Sequence, residues 1–141
     1  RRAIALAQRA QAAGEVPVGA LLVRDRKVIG VGWNRPIGGH DPTAHAEINA
    51  IRVAARRLGT LDLSDCVIVS TCEPCPMCAA AISFARLKRL YYGAADPKSG
   101  GTAHGARVFS HPQCHHVPEV YDGIGASEAE ALLKDFFAAK R

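Results

Sequence analysis

Two short motifs, far apart in the chain, place the strongest constraint on how this sequence can fold. The first is His45-Ala46-Glu47 and the second is Pro74-Cys75-Pro76-Met77-Cys78. One imidazole and two thiolates can hold a zinc ion in three of its four tetrahedral positions, which leaves the fourth for a water molecule that becomes a nucleophile. We therefore expect a fold that brings His45, Cys75 and Cys78 together as an open zinc site.

The carboxylate of Glu47 has no obvious partner in the neighbouring sequence, and it is the natural proton carrier for such a water. A closed, structural zinc site is the alternative, and it needs a fourth protein ligand. Candidates for that ligand are Cys72, His104, His111, His115 and His116. Cys72 ends a strand-like run, so we expect it to pack beside the site without binding the metal. The combined pattern H-x-E…P-C-x-x-C is typical of zinc deaminases.

Both motifs stand where helices are expected to begin. Asp41-Pro42-Thr43 supplies a capping residue and an N-terminal proline, so the pattern predicts a helix with His45 and Glu47 in its first turn. A second helix is predicted from Pro74, with Cys75 and Cys78 on one face because they are three residues apart.

The remaining pattern predicts an alternation of helices and strands. We expect an opening helix ended by Gly14, a capping box at Ser127-Glu128-Ala129-Glu130 that opens the last helix, and a long loop over 96–118. Strands are predicted at 16–23, 28–33, 66–71 and 87–93. Because helical crossovers join the later strands, the centre should be a mixed sheet covered by helices.

Composition sets broader bounds. The 141 residues, 48% of them hydrophobic and 22% charged, predict one globular domain over 1–141. No stretch is apolar for long enough to span a bilayer, and five cysteines with a CxxC spacing indicate reduced thiols, so a cytoplasmic location is expected. The net charge of +5 modestly favours a polyanionic partner.

Longer segments carry a resemblance to a known family. Glu15-Val16-Pro17-Val18-Gly19-Ala20, Gly32-Trp33-Asn34-Arg35-Pro36 and the segments 40–47 and 73–78 resemble the bacterial tRNA-specific adenosine deaminases of the cytidine deaminase superfamily. The similarity extends to Tyr92-Gly93-Ala94, to Asp96 and to the segment 132–137. It implies a three-layer α/β/α fold with a central, mixed, five-stranded sheet flanked by helices.

The resemblance also implies an activity and a set of site residues. The family converts adenosine to inosine at the wobble position of a tRNA anticodon, with a zinc-bound hydroxide attacking C6 of the base. Carried over by position, the metal ligands are His45, Cys75 and Cys78, the proton shuttle is Glu47, and the substrate-binding residues are Asn34, Ala46 and Asp96. The implied partners are a tRNA anticodon stem-loop and a second copy of the chain.

Several of these assignments have simpler alternatives. Asn34 could cap a loop, and Asp96 could form a turn before Pro97. Basic side chains that could meet phosphates could equally be solvated charges; they are Arg35, Lys98, Arg107, Lys140 and Arg141.

One departure from the family affects the expected substrate. The tRNA-editing enzymes usually have leucine where this chain has Cys72, and the segment 71–78 instead resembles guanine deaminases of the same superfamily. A deaminase of free guanine or another small nucleobase or nucleoside is therefore the main alternative function. A non-catalytic zinc module that binds RNA is a lesser alternative, and the presence of Glu47 argues against it.

Overall fold

Four helices and five strands make up the regular structure of residues 2–139, which are the residues that the computed structural model describes. In chain order the elements are α1 (Arg2–Ala12), β1 (Gly19–Arg24), β2 (Lys27–Trp33), α2 (Ala46–Leu58), β3 (Val67–Cys72), α3 (Pro76–Phe84), β4 (Arg89–Ala94), β5 (Glu119–Tyr121) and α4 (Ala126–Ala139). A single turn of 3-10 helix, Val108–Ser110, lies within the long segment that precedes β5.

The five strands form one mixed sheet in the order β2-β1-β3-β4-β5. The hairpin strand β1 pairs antiparallel with both β2 and β3, whereas β3–β4 and β4–β5 are parallel pairs. Helix α3 joins the parallel pair β3–β4, as expected for a helical crossover. The predicted mixed, five-stranded sheet is therefore confirmed.

Helices cover the sheet on both sides. Helices α1 and α4 contact each other and pack on β1 and β4, while α2 packs on β1 and β2 and also contacts α3. The core between the layers is built mainly from small and branched apolar side chains, among them Ala20, Leu22, Ala50, Ala54, Ile68, Ile82, Leu87 and Leu90. The three-layer α/β/α architecture is thus confirmed.

Two glycines of β2 let helix α2 approach the sheet closely. A Cβ at Gly30 would lie 2.5 Å from the carbonyl oxygen of Ala50, and one at Gly32 would collide with the carbonyl oxygen of Ala46. Because no larger residue fits there, this contact fixes the N-terminus of α2 next to the end of β2. It thereby places His45 near Asn34, the residue that follows β2.

The predicted start of the second helix is wrong by one turn. Asp41 does not cap the helix; its Oδ1 accepts hydrogen bonds from the backbone N–H of Thr43 at 2.9 Å and from the Thr43 hydroxyl at 2.7 Å. This local turn satisfies the aspartate outside the helix. His45 is the N-cap of α2, with extended backbone angles, and Glu47 is the second helical residue.

The helix of the second motif also begins later than predicted, by two residues. Helix α3 begins at Pro76 rather than at Pro74, and Cys75 is its N-cap. Cys75 and Cys78 therefore do not share a helical face as predicted, since Cys75 lies just before the helix and Cys78 is its third residue. Proline at the first helical position explains the start, because its missing N–H would have no intrahelical acceptor there.

Two further expectations near the C-terminus need correction. Helix α4 begins at Ala126, so Ser127 lies inside its first turn and does not cap it. Strand β5 is not located by the sequence pattern because it has only three residues, all exposed, and depends on its pairing with β4. Within residues 2–139 there is no helix of the length and apolar character needed to cross a membrane.

Candidate metal centre and active site

The ends of two helices bring three metal-binding side chains together. The Nδ1 atom of His45 lies 3.5 Å from the Sγ atom of Cys75 and 3.5 Å from that of Cys78. All three atoms lie within 4.8 Å of one another. A tetrahedral ion with Zn–N bonds of about 2.0 Å and Zn–S bonds of about 2.3 Å requires N···S separations of about 3.5 Å. The donor set therefore fits a zinc ion in both element preference and spacing.

Among the described residues, no fourth His, Cys, Asp or Glu side chain joins this group. Cys72 lines the cavity beside the three donors without belonging to the group. Two of the histidines that could have served as further ligands are engaged elsewhere: His104 contacts Glu73 at 2.7 Å, and Nε2 of His116 lies 2.7 Å from the carbonyl oxygen of Leu87. This arrangement is that of an open site rather than a closed structural one.

The electrostatics of the group favour anionic sulfur. Hydrogen bonding with Cys78, aided by His45, lowers the pKa of Cys75 to about 4. The pKa of Cys78 is raised in turn because it shares its proton with Cys75 and is buried. Free backbone N–H groups at the start of α3 also stabilise negative charge. One thiolate is therefore already favoured before a metal binds.

Glu47 lies in the first turn of α2 with only 4% of its surface exposed. Burial raises the pKa of its carboxyl group to about 7. A carboxyl group whose pKa is close to neutral can both take up and release a proton, which is the requirement for general acid–base catalysis. A cation held beside it would favour its charged form.

A cavity of about 350 Å³ connects these groups with the other predicted site residues. Its volume lies in the range of pockets that hold small ligands. The predicted residues that line it are Asn34, His45, Glu47, Cys75 and Asp96. Cys78 is fully buried behind them, and Ala46 is buried as the first residue of α2 without lining the cavity.

The last helix also contributes to the wall of the cavity. Leu133 and Phe137 of α4 line it, together with Val16, Val18 and Ser99. The apolar spacing in the last helix favours packing against the sheet, with a substrate surface as the alternative. Helix α4 packs inward through the buried Ala129, while Phe137, which is 50% exposed, lines the cavity.

Asn34 and Asp96 face the cavity with unused hydrogen-bonding atoms. The side-chain amide of Asn34 makes no hydrogen bond to any described residue, so it does not cap its loop. Oδ1 of Asp96 accepts from the backbone N–H groups of Lys98 at 3.2 Å and Ser99 at 3.0 Å, as expected of a turn-forming aspartate. Its other carboxylate oxygen has no partner within residues 2–139.

Comparison with known proteins agrees with this geometry. The family described as the cytidine and deoxycytidylate deaminase zinc-binding region matches residues 1–94. A tRNA-specific adenosine deaminase of Agrobacterium fabrum (strain C58) is 54% identical over 90% of this chain and 84% of its own length. The match to the zinc-binding family and the fit of the three donors together identify Zn²⁺ as the cofactor.

Solved structures place the fold in the same group. One, from a study of A-to-I editing by tRNA:A34 deaminases at the wobble position of transfer RNA, is 51% identical with a TM-score of 0.92, covering 93% of this chain and 95% of that one. A guanine deaminase from Nitrosomonas europaea is 26% identical with a TM-score of 0.82, covering 97% of this chain and 81% of that one. The chain therefore belongs to the cytidine and deoxycytidylate deaminase family, among its members named tRNA-specific adenosine deaminases.

Proposed function

We propose that this protein converts adenosine to inosine at the wobble position of a tRNA anticodon by hydrolytic deamination. The observation that carries the proposal is a buried carboxyl group, that of Glu47, in the same cavity as His45 and Cys75. The identity of 54% to a tRNA-specific adenosine deaminase supports the substrate class. A cytoplasmic location and a single domain over 1–141 stay predictions.

His45, Cys75 and Cys78 would hold the zinc ion through Nδ1 and two Sγ atoms. When bound, zinc polarises a water molecule and brings its pKa toward neutrality. Glu47 would accept a proton from the attacking water as the water oxygen adds to C6 of adenine, and it would deliver that proton to the ring nitrogen. Glu47 would then move the proton of the new C6 hydroxyl to the amine. The C6–N bond breaks as the C6 carbonyl forms, so that ammonia leaves and inosine remains.

The cavity residues would orient the nucleoside for this attack. The free amide of Asn34 offers one donor and one acceptor to the purine edge. The backbone N–H of Ala46, at the start of α2, has no intrahelical acceptor and could bind a polar atom of the base. The unpaired oxygen of Asp96 could accept a hydrogen bond from a ribose 2′-hydroxyl, which would favour RNA over DNA.

Deamination of free guanine is the second candidate, and one observation favours it. Cys72, the position where this chain departs from the tRNA-editing pattern, lines the cavity directly. The likeness to the Nitrosomonas guanine deaminase, with a TM-score of 0.82, supports the same chemistry on a smaller substrate. A purely RNA-binding zinc module is disfavoured, because burying a carboxyl group without a chemical use costs stability.

The two candidates are separated by measuring both reactions with one preparation. Inosine formation in an anticodon stem-loop RNA is followed beside ammonia release from free guanine, with Glu47→Ala as the control in each assay. We expect inosine from the RNA that disappears in the variant. Ammonia from guanine without any inosine would indicate that free guanine is the substrate. Cys72 would then be the first position to study.

A pair of cations beside Trp33 supports RNA binding. The guanidinium carbon of Arg9 lies 4.1 Å from the ring centre of Trp33, and that of Arg35 lies 5.3 Å from it. Arg35 directly follows the cavity residue Asn34 in the chain and, together with Trp33, lines a separate surface pocket. Neither arginine makes an ion pair with a described residue. Two unneutralised cations held against one ring are suited to a phosphate group. The predicted contacts of Lys140 and Arg141 lie outside the described residues.

Arg35→Ala is expected to weaken binding of the stem-loop RNA and to make it less sensitive to salt. Each lost phosphate contact should reduce the slope of log affinity against log salt concentration by about 0.7–0.9. Binding is measured by fluorescence anisotropy from low to moderate salt. Lys27→Ala, an exposed cation at the far end of the β1–β2 hairpin, is the control and should leave the slope unchanged. An unchanged slope in Arg35→Ala would contradict a phosphate contact there.

We also propose that the protein is a homodimer, as the resemblance implies. Phe84 and Leu61 expose 81% and 85% of their surface, which is unusual for large apolar side chains. They border a groove of about 450 Å³ between α2 and α3, lined also by Ile48, Ile51, Ala55, Leu63 and Ala81. A contiguous apolar surface of this kind is typical of a protein–protein interface.

Phe84→Asp is expected to convert the dimer to a monomer, because the charge would be buried without a partner in the interface. The molecular mass in solution is measured by analytical ultracentrifugation. Ile37→Asp, which replaces a similarly exposed apolar residue on the loop after β2, is the control and should stay dimeric. A Phe84→Asp protein that remains dimeric would place the interface elsewhere.

A further inference from the structure

The two irregular segments that border the substrate cavity are each held by one buried carboxylate. The segment 34–44 carries Asn34, and the segment 95–104 carries Asp96 and Ser99. Glu15 and Glu73, both only 3% exposed, contact these segments and are not among the residues assigned to catalysis. Segments without regular hydrogen bonding stay ordered only where other groups satisfy their backbone.

Glu73 accepts five hydrogen bonds from the segment 95–104. Its Oε1 atom accepts from the backbone N–H of Asp96 at 3.0 Å and lies 2.7 Å from Nδ1 of His104. Its Oε2 atom accepts from three consecutive backbone N–H groups, those of Thr102 at 3.3 Å, Ala103 at 3.1 Å and His104 at 3.1 Å. Successive N–H groups that converge on one anion form an anion-binding nest.

The segment closes tightly around this carboxylate. A Cβ at Gly100 would lie 2.5 Å from Cδ of Glu73, so a side chain at that position would displace the Glu73 carboxylate. The backbone N–H of Gly100 donates to the carbonyl oxygen of Asp96 at 2.8 Å, and that of Gly101 donates to the carbonyl oxygen of Pro74 at 2.7 Å. Because Glu73 also precedes Pro74 and Cys75, one residue links the cavity wall to the metal-binding motif.

Glu15 plays the matching part for the segment 34–44. Its Oε1 atom accepts from the backbone N–H of Ile37 at 3.2 Å, and its Oε2 atom accepts from that of Gly38 at 2.7 Å. Both N–H groups belong to the loop that follows Asn34. The two walls are thus anchored independently, one by each carboxylate.

We propose that Glu73 is a positioning residue that sets selectivity for a ribose at the target nucleotide by holding Asp96 in place. Glu15 holds the Asn34 wall in the same way without affecting that selectivity. The proposal rests on the proposed function, in which Asp96 contacts the ribose 2′-hydroxyl. Glu73 acts through the segment that it anchors rather than by contact with the substrate.

Glu73→Gln tests this with little change in size. Glutamine keeps one acceptor oxygen but replaces the other with an NH₂ group, which is a donor and would face N–H groups that are also donors. The Asp96 wall should then loosen. Glu119→Gln is the matched control. Glu119 is an exposed carboxylate of β5 that does not line the cavity, and it forms an ion pair with Arg89 of β4 at 2.6 Å.

Selectivity is measured with two stem-loop RNAs that differ only in a ribose or 2′-deoxyribose at the target adenosine. The selectivity is the ratio of kcat/KM for inosine formation on the two RNAs. We expect Glu73→Gln to lower this ratio by about tenfold, as the loss of one well-placed hydrogen bond would. Glu15→Gln should lower kcat/KM for both RNAs equally, and Glu119→Gln should change neither value.

A double-mutant comparison separates positioning from general damage. If Glu73 acts through Asp96, Glu73→Gln should not lower the ratio further in an Asp96→Ala background. Zinc content should stay at one per chain, and hydrogen exchange should quicken only within the segment 96–104, above all for the amides of Asp96, Thr102, Ala103 and His104 that donate to Glu73. An unchanged ratio in Glu73→Gln, or a further fall of the ratio in the double variant, would overturn the proposal.

His104 provides a milder pair of variants if Glu73→Gln folds poorly. His104→Ala removes only the ring contact to Glu73, whereas His104→Asn keeps an N–H donor close to the position of Nδ1. We expect His104→Ala to lose less selectivity than Glu73→Gln, and His104→Asn to recover it. A loss of selectivity in both variants would contradict a role of the His104–Glu73 contact in holding the segment.

A wild-type protein that forms no inosine would contradict the proposed function itself. A wild type that is active on both RNAs at equal rates would contradict the positioning of Asp96.

Discussion

Glu47→Gln is expected to lower kcat for inosine formation by about 10³-fold while leaving the bound zinc in place. The glutamine amide fills the same space and can donate and accept hydrogen bonds, but it cannot take a proton from the water. Because Glu47 is not one of the three grouped metal donors, the ion should be retained at one per chain. The chemical step is measured by single-turnover kinetics and the metal by elemental analysis.

Stability provides an independent readout of the same substitution. Glu47 is 4% exposed, and burial raises its pKa to about 7, which means that the folded protein disfavours its charged form. A neutral amide avoids this cost, so in the zinc-free protein the melting temperature of Glu47→Gln should equal or exceed that of the wild type. Glu128→Gln, on the exposed face of α4, is the control for activity. A Glu47→Gln variant that keeps full activity, or that loses its zinc, would contradict the proposed role of Glu47 as the proton carrier.

Cys78→Ser is expected to abolish zinc binding and activity together and to destabilise the fold. Cys78 is fully buried in the first turn of α3, where no other donor among the described residues can take its place. A serine hydroxyl is a harder, less acidic ligand than a thiolate and binds zinc poorly. Zinc content per chain should therefore fall close to zero after dialysis.

The loss of stability follows from linkage between metal binding and folding. At a zinc concentration 100 times the dissociation constant, the ion stabilises the folded state by about 2.7 kcal/mol. Losing that contribution should lower the melting temperature by about 8 °C for a chain of this length. The ion would join the start of α2, at His45, to the start of α3, so both helix ends should become more mobile.

Cys114→Ser is the matched control for this experiment. Sγ of Cys114 lies 3.4 Å from the Ser83 hydroxyl and donates to the carbonyl oxygen of His116 at 3.1 Å, contacts that a serine hydroxyl can also make. It should keep its zinc, its activity and its melting temperature. Full zinc occupancy in Cys78→Ser would contradict the three-donor site, and zinc loss in Cys114→Ser would show that the assay responds to any thiol.

Much of the chemistry can be predicted from the amino-acid sequence alone, because it depends on residue type. Imidazole and thiolate donors select zinc, and a lone carboxylate beside them indicates proton transfer. Local hydrophobic patterns likewise locate α1, the β1–β2 hairpin, β3 and β4, since each of these elements carries a run or a periodic set of residues that are buried. The patterns do not locate β5, whose three residues are all exposed.

Helix boundaries are less accessible to sequence reasoning. Asp41 and Pro42 are suitable residues for a helix start, yet the chain uses Asp41 for a separate turn and begins α2 at Ala46. The choice between two acceptable starts depends on the tight contact of α2 with Gly30 and Gly32 of β2. Such a contact joins residues far apart in sequence. The glycines of β2 indicate that another backbone approaches closely, but they do not indicate which segment does so.

The sequence by itself determined the identity of the metal donors, the expected proton carrier and the class of reaction, because these follow from the chemistry of His45, Glu47, Cys75 and Cys78. Only the tertiary structure decided that Asn34 and Asp96 line the same cavity as these groups, and that Glu73 and a wall of α4 shape it. The physical reason is that donor chemistry belongs to single residues. The cavity instead arises where backbone pairing and core packing bring several distant segments together.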